Sequence, residues 1–148
     1  MIKPKKLLLW ILFSLVAFNV FNYVKMHTRG DVIAYKKFSK ALMKGNAFAL
    51  KNTAEQGLAK KVLSFQEKRM NRYNDLDIVF TYYKIKSRTL SADGKTSKLV
   101  GEQISRVNPL GYDTLWGENA VKVKHSIVLV MHNNAWKVES FIDPATFD

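Results

Sequence analysis

Cysteine is absent from this 148-residue chain. That removes disulfides, thiolate metal ligands, a cysteine nucleophile and a lipid-modified N-terminal cysteine from consideration, while leaving the redox compartment open. Histidine is nearly as scarce, occurring only as His27, His125 and His132. None stands at ligand spacing from another histidine or a carboxylate, so a metal centre is not expected and neither is a cofactor. The seven glycines and three prolines are scattered. They form neither a Gly-rich phosphate loop nor a Gly-x-Ser-x-Gly elbow, whereas a Ser-His-Asp set, which has no fixed spacing, stays open. Acid is short as well, with 12 Asp and Glu against 24 Lys and Arg, a formal charge of +12.

What the chain does have is a long apolar run. Three lysines precede residue 7, Leu7 to Val24 carries no charge over eighteen residues, and Lys25 closes it. As a helix this run extends about 27 Å, close to the roughly 30 Å hydrocarbon thickness of a bilayer. It is longer than the apolar core of a signal peptide, and bulky residues (Val20, Phe21, Tyr23, Val24) fill the place of a small-residue cleavage site. The sequence therefore predicts an uncleaved transmembrane signal-anchor at 7–24, with a linker up to Gly30. Trp10 suits one aromatic belt and Tyr23 the other. Asn19 and Asn22 share a face, where they either bond a neighbouring helix or meet headgroup water. Lys3, Lys5 and Lys6 outweigh Lys25 and Arg29 narrowly, which places the N-terminus in the cytoplasm. The expected location is the inner (cytoplasmic) membrane, crossed once, with residues 31–148 extracytoplasmic.

Those 118 residues suffice for one domain with its own core, and no internal repeat or low-complexity stretch divides them. Their charge is uneven. Residues 31–72 carry a net +7 and residues 73–148 are neutral. The basic part reads as helices. Asp31 is placed as an N-cap, Tyr35, Phe38, Ala41 and Leu42 form an apolar stripe, and Gly45-Asn46 ends the helix. A short segment holds Phe48 and Leu50, Thr53-x-x-Gln56 has the form of a capping box, and Leu58, Val62 and Phe65 continue a stripe to Tyr73-Asn74-Asp75. The neutral part reads as four strands: Asp77 to Leu90, Lys98 to Val107, Ala120 to His132 and Trp136 to Ile142. Ala92-Asp93-Gly94 and Asn133-Asn134 supply hairpin turns, and Pro109-Leu110-Gly111 breaks the second strand. The fold class predicted is α+β, with an N-terminal transmembrane helix followed by helices packed on a curved antiparallel sheet of about four strands.

With its helix ending Lys40-Ala41-Leu42-Met43-Lys44-Gly45-Asn46 and its last strand Ala135-Trp136-Lys137-Val138-Glu139-Ser140-Phe141, the chain resembles the nuclear transport factor 2-like superfamily. The likeness is to its small membrane-tethered bacterial members and covers most of residues 31–143. It implies a cone-like domain that can enclose an apolar pocket. Some members of the superfamily use a buried carboxylate or an Asp/His pair for proton abstraction or dehydration. The inner-membrane component of type IV secretion systems, usually longer, shares the cone and single anchor.

Candidate site residues follow. His125 lies on the otherwise apolar strand face of Val121, Val123, Ile127, Leu129 and Met131. It is the one candidate general base, with Asp77 or Glu102 to orient it, set against a core histidine bonded to backbone. Tyr82, Tyr83 and Trp116 are candidate cavity-lining aromatics beside it. Lys36, Lys37, Lys40, Lys44, Lys60 and Lys61 are candidate contacts for anionic headgroups, set against a merely solvated face. Lysine outnumbers arginine nineteen to five and aromatics do not interleave with it, which weighs against nucleic acid. The reading with most support is a non-enzymatic binding or assembly module of a cell-envelope complex, with a protein partner, a second copy or a small apolar ligand on its sheet. The competing reading is a small membrane-tethered isomerase or dehydratase using His125.

Overall fold

A computed structural model describes residues 4–62, 78–107 and 120–142. Phe65, Tyr73-Asn74-Asp75, Asp77, Pro109-Leu110-Gly111 and Trp116 lie outside the described residues. Helix α1 spans Pro4–His27, α2 Gly30–Lys44, α3 Ala47–Thr53 and α4 residues 56–62. Strands β1 (Ile78–Leu90), β2 (Thr96–Val107), β3 (Ala120–His132) and β4 (Ala135–Ile142) pair in that order as an antiparallel meander. The α+β class and the four-stranded sheet are as the residue patterns predict.

From Lys6 to Lys25 every α1 side chain is exposed. The helix is long and apolar enough to cross a membrane. Asn19 bonds within its own helix, Nδ2 donating to Leu15 O at 2.7 Å. Helical structure runs through most of the stretch expected as a linker, leaving only Thr28 and Arg29 between α1 and α2. The Thr28 hydroxyl closes α1 by donating to Val24 O at 2.9 Å.

The apolar stripe of α2 is buried as expected, Tyr35 and Phe38 completely. Its start is not. Arg29 occupies the N-cap position without a side-chain cap, and Asp31 is drawn inside the first turn, where it is buried. Its carboxylate is held by a partner 57 residues away, Arg88. Gly45 ends α2 at φ 65°, ψ 25°. Its N–H reaches Leu42 O and that of Asn46 reaches Ala41 O, the paired bonds of a Schellman motif. Asn46 then caps α3, Oδ1 accepting from Ala49 N–H at 3.0 Å. The capping box at Thr53 does not form. Thr53 closes α3 instead, its hydroxyl donating to Ala49 O at 2.7 Å, because the chain needs Ala54 and Glu55 extended. Those two residues lie along the edge of β4, Ala54 bridging Val138 and Glu55 N–H bonding Val138 O at 2.8 Å. They cover part of an otherwise open strand edge.

Of the three register shifts in the described part of the sheet, two decide which of several side chains face the helices. Beside Ile85/Ser87 and beside Val128/Leu129 the register slips. An extra residue breaks the alternation of faces. Ile85 and Arg88, three apart, therefore both point toward α2, and so do Val138 and Phe141. Leu99, Ile127, Leu129 and Val138 from the sheet meet Val32, Tyr35, Phe38, Leu42 and Leu50 from the helices to form the core. Each such side chain contributes about 1.5–3 kcal/mol on burial.

Candidate functional site

Along the sheet face beneath α2 runs a seam of buried polar groups. Its centre is His125, which stands on β3 opposite Gly101 of β2. A side chain at position 101 would put Cβ 2.7 Å from the Tyr35 hydroxyl. Glycine is what admits the phenol, and the close approach falls where the register of β1 against β2 slips, between Ile85 and Ser87. The Tyr35 hydroxyl pairs with His125 Nδ1 at 3.1 Å. Phe141 and Tyr35 wall the imidazole, ring centroids 5.0 and 5.9 Å away. His125 is 1% exposed, so a molecule in solvent does not touch the ring.

The seam continues toward the C-terminal end of α2. Ser39 bonds Gln103 Oε1, Gln103 Nε2 lies 2.9 Å from the sulfur of Met43, and Ser105 reaches that sulfur and Thr81. Toward the N-terminal end, Asp31 accepts from Arg88 Nε at 2.7 Å and from the Ser97 hydroxyl. Burial pushes the Asp31 carboxyl up, but the bonds from Arg88 and Ser97 and the charge of Arg88 outweigh it and hold it below its ordinary value.

Of the expected cavity residues, Tyr83 joins His125 on this face, its ring edge-on to Tyr35 at 5.7 Å. Burial raises the Tyr83 hydroxyl above the ordinary phenol range, with Ser39 opposing. Tyr82 is paired with Ile104, one residue on and hence on the opposite face. Glu102 does not orient His125. It pairs with Lys124 on that opposite face and meets Lys86 Nζ at 3.4 Å. Tyr35, Gly101, Ser39 and Gln103 are the residues that sequence reasoning missed. The available signals were a serine inside the α2 stripe and a glycine in mid-strand.

The lysines divide by place. Lys37, Lys40 and Lys44 line one open groove between α2 and α3 together with Asn46, Phe48 and Asn52. Phe48 stands 77% exposed at its rim. Lys36 does not line the groove; it lies close enough to His27 at the end of α1 that, after burial, its charge lowers that imidazole's pKa, and its own partial burial lowers the ammonium's. Lys60 and Lys61, on α4, do not line the groove.

No family model matches the chain, and no curated protein matches it. Solved structures similar to the chain include the following three. The intermembrane space region of the chloroplast protein ARC6 is 15% identical with a TM-score of 0.43, covering 74% of this chain and 90% of that one. A designed protein of the nuclear transport factor 2 type is 13% identical with a TM-score of 0.46, covering 73% and 90%. A de novo design with a curved β-sheet is 13% identical with a TM-score of 0.41, covering 75% and 95%. At these scores the likeness carries no argument about function.

Proposed function

We propose that the chain is a single-pass membrane-anchored binding module, serving as a subunit or accessory factor of a cell-envelope complex. One observation carries the reading. From Lys6 to Lys25 the apolar helix finds no cover among the described residues, while the α+β domain closes a core of its own. Left in water, such a surface is far larger than a soluble monomer leaves exposed. In the proposed arrangement residues 7–24 cross the inner membrane, the N-terminus is cytoplasmic, and residues 31–148 stand outside. Binding is favoured over catalysis because the one candidate base, His125, is enclosed by Tyr35 and Phe141 and serves to hold α2 on the sheet.

Lack of native cysteine makes the test clean. Lys6→Cys and Ala92→Cys each introduce a single thiol, and both positions are exposed. In intact cells a membrane-impermeant maleimide should label Cys at 92 and not Cys at 6, and the chain should stay in membranes through alkaline carbonate. Labelling in the reverse order would overturn the orientation, and release by carbonate would overturn the anchor.

A further inference from the structure

We infer that the groove of Lys37, Lys40 and Lys44 docks on the anionic headgroups of the bilayer that α1 enters, with Phe48 entering the interface. The inference deepens the anchored reading and rests on it. The three lysines recur at i, i+3 and i+7 of α2, which sets them on one helix face over about 10 Å. Among the described residues no acid lines the groove, and none of the three lysines has an ion-pair partner there. Within that set the concentrated charge is uncompensated. Phe48 is the one large apolar side chain of the α3 surface that projects into solvent, and it does so beside those charges. A basic face with an adjacent exposed aromatic is the composition of an interfacial helix pair, where ammonium groups meet phosphates and the ring enters the acyl boundary.

Two further observations favour a bilayer over an acidic protein. The first is reach. Only Thr28 and Arg29 separate α1 from α2, and the three lysines lie about 10 to 21 Å along α2 from Gly30. A lipid surface is thus present at high effective concentration whenever α1 is inserted. The second is chemistry. Among the described residues the groove is lined by lysine and not arginine, and lysine offers mobile point charges, not the planar fork that grips one carboxylate bidentately. Asn46 and Asn52 add amide donors at the same rim.

The test uses the full chain in lipid nanodiscs with a spin label at Asn52→Cys, an exposed position on the groove. In discs containing about 30 mole percent phosphatidylglycerol the label should be shielded from a water-soluble nickel complex. In phosphatidylcholine alone it should stay accessible, as it should in anionic discs at about 0.5 M salt. The combined variant Lys37→Gln, Lys40→Gln, Lys44→Gln should lower the docking constant about a hundredfold, roughly fivefold per lysine. Equal accessibility in both lipids, or shielding that ignores lipid charge and salt, overturns the inference. A companion label at Phe13→Cys separates the two readings. If it is shielded from the nickel complex while the label at 52 is not, docking alone has failed. If it is open to water, the anchor has failed and docking with it.

Discussion

At the scale of single residues, the contact between Gly101 and Tyr35 makes the sharpest prediction. Glycine within a strand ordinarily loses about 0.5–1 kcal/mol relative to alanine, so Gly101→Ala would stabilise an uncrowded sheet. Here the new methyl would press on the Tyr35 phenol, which is fully buried. The sign should therefore reverse, with a loss of about 1–3 kcal/mol in thermal melts of the detergent-solubilised chain. Tyr35→Phe removes the crowding oxygen, and the double variant should lose less than the sum of the two single changes. Strict additivity would show that the two residues do not compete for one space. A second residue-scale prediction concerns Asp31. Its folded pKa lies below the ordinary value of 3.8, so its stabilising contribution is whole above that pH and is lost as pH falls through the folded value. Arg88→Leu should remove about 3–5 kcal/mol at pH 7 by leaving a buried carboxylate without its cation. The same change reverses the sign of the linkage. With Asp31 now raised above its unfolded value, the variant should gain stability on acidification from pH 7 toward pH 4. Melting temperatures that merely track the parent's over that range would rule out Arg88 as the compensating charge.

Among the elements, the connections test whether local sequence chose the fold. Asn133 and Asn134 both take positive φ, 48° and 61°, as a two-residue hairpin between β3 and β4 demands. Asn134→Gly should raise stability by a few tenths of a kcal/mol, while a β-branched Asn134→Val should lower it by about 1–2 kcal/mol. Matching melts for the two variants would mean that the turn does not set the register. Such turns, the Gly45-Asn46 stop and the amphipathic stripe of α2 were legible in the sequence because each is decided within a few residues. So were the alternating faces of β3, where His125, Ile127 and Leu129 are buried and Lys122, Lys124 and Ser126 exposed. The bulges were not legible, since an extra residue in a strand has no fixed composition. Arg88 and Phe141 acquire their partners only through them. For the same reason Asp31 read as a cap and Thr53 as the start of a capping box. Each had a good local offer and was taken by a contact or an edge pairing remote in the chain. The site was half legible: His125 stood out on its strand, but its partner Tyr35 lies 90 residues earlier.

Taken as a whole, the molecule divides into a greasy rod and a self-sufficient domain, and the division predicts how it tolerates cutting. Among the described residues, helix α1 gives the core only the partly buried Met26, near its C-terminal end. By contrast, the junction that follows is packed: a Cβ on Gly30 would come within 3.0 Å of the Trp136 ring, so the start of α2 rests against β4. Deleting residues 1–24 should therefore leave a folded domain that needs no detergent, runs as a compact species in gel filtration, and melts within about 4 °C of the full chain, a shift matching less than 1 kcal/mol. Deleting residues 1–31 instead strips Met26, Gly30 and the buried Asp31, and leaves Arg88 and Ser97 facing an empty place. That shorter piece should lose several kcal/mol, with broadened or absent melting. The contrast separates an anchor from a core helix. If α1 were part of the fold, the first truncation would be as damaging as the second and would aggregate. If it is an anchor, the boundary between harmless and harmful deletion falls between Val24 and Asp31, where side-chain burial begins.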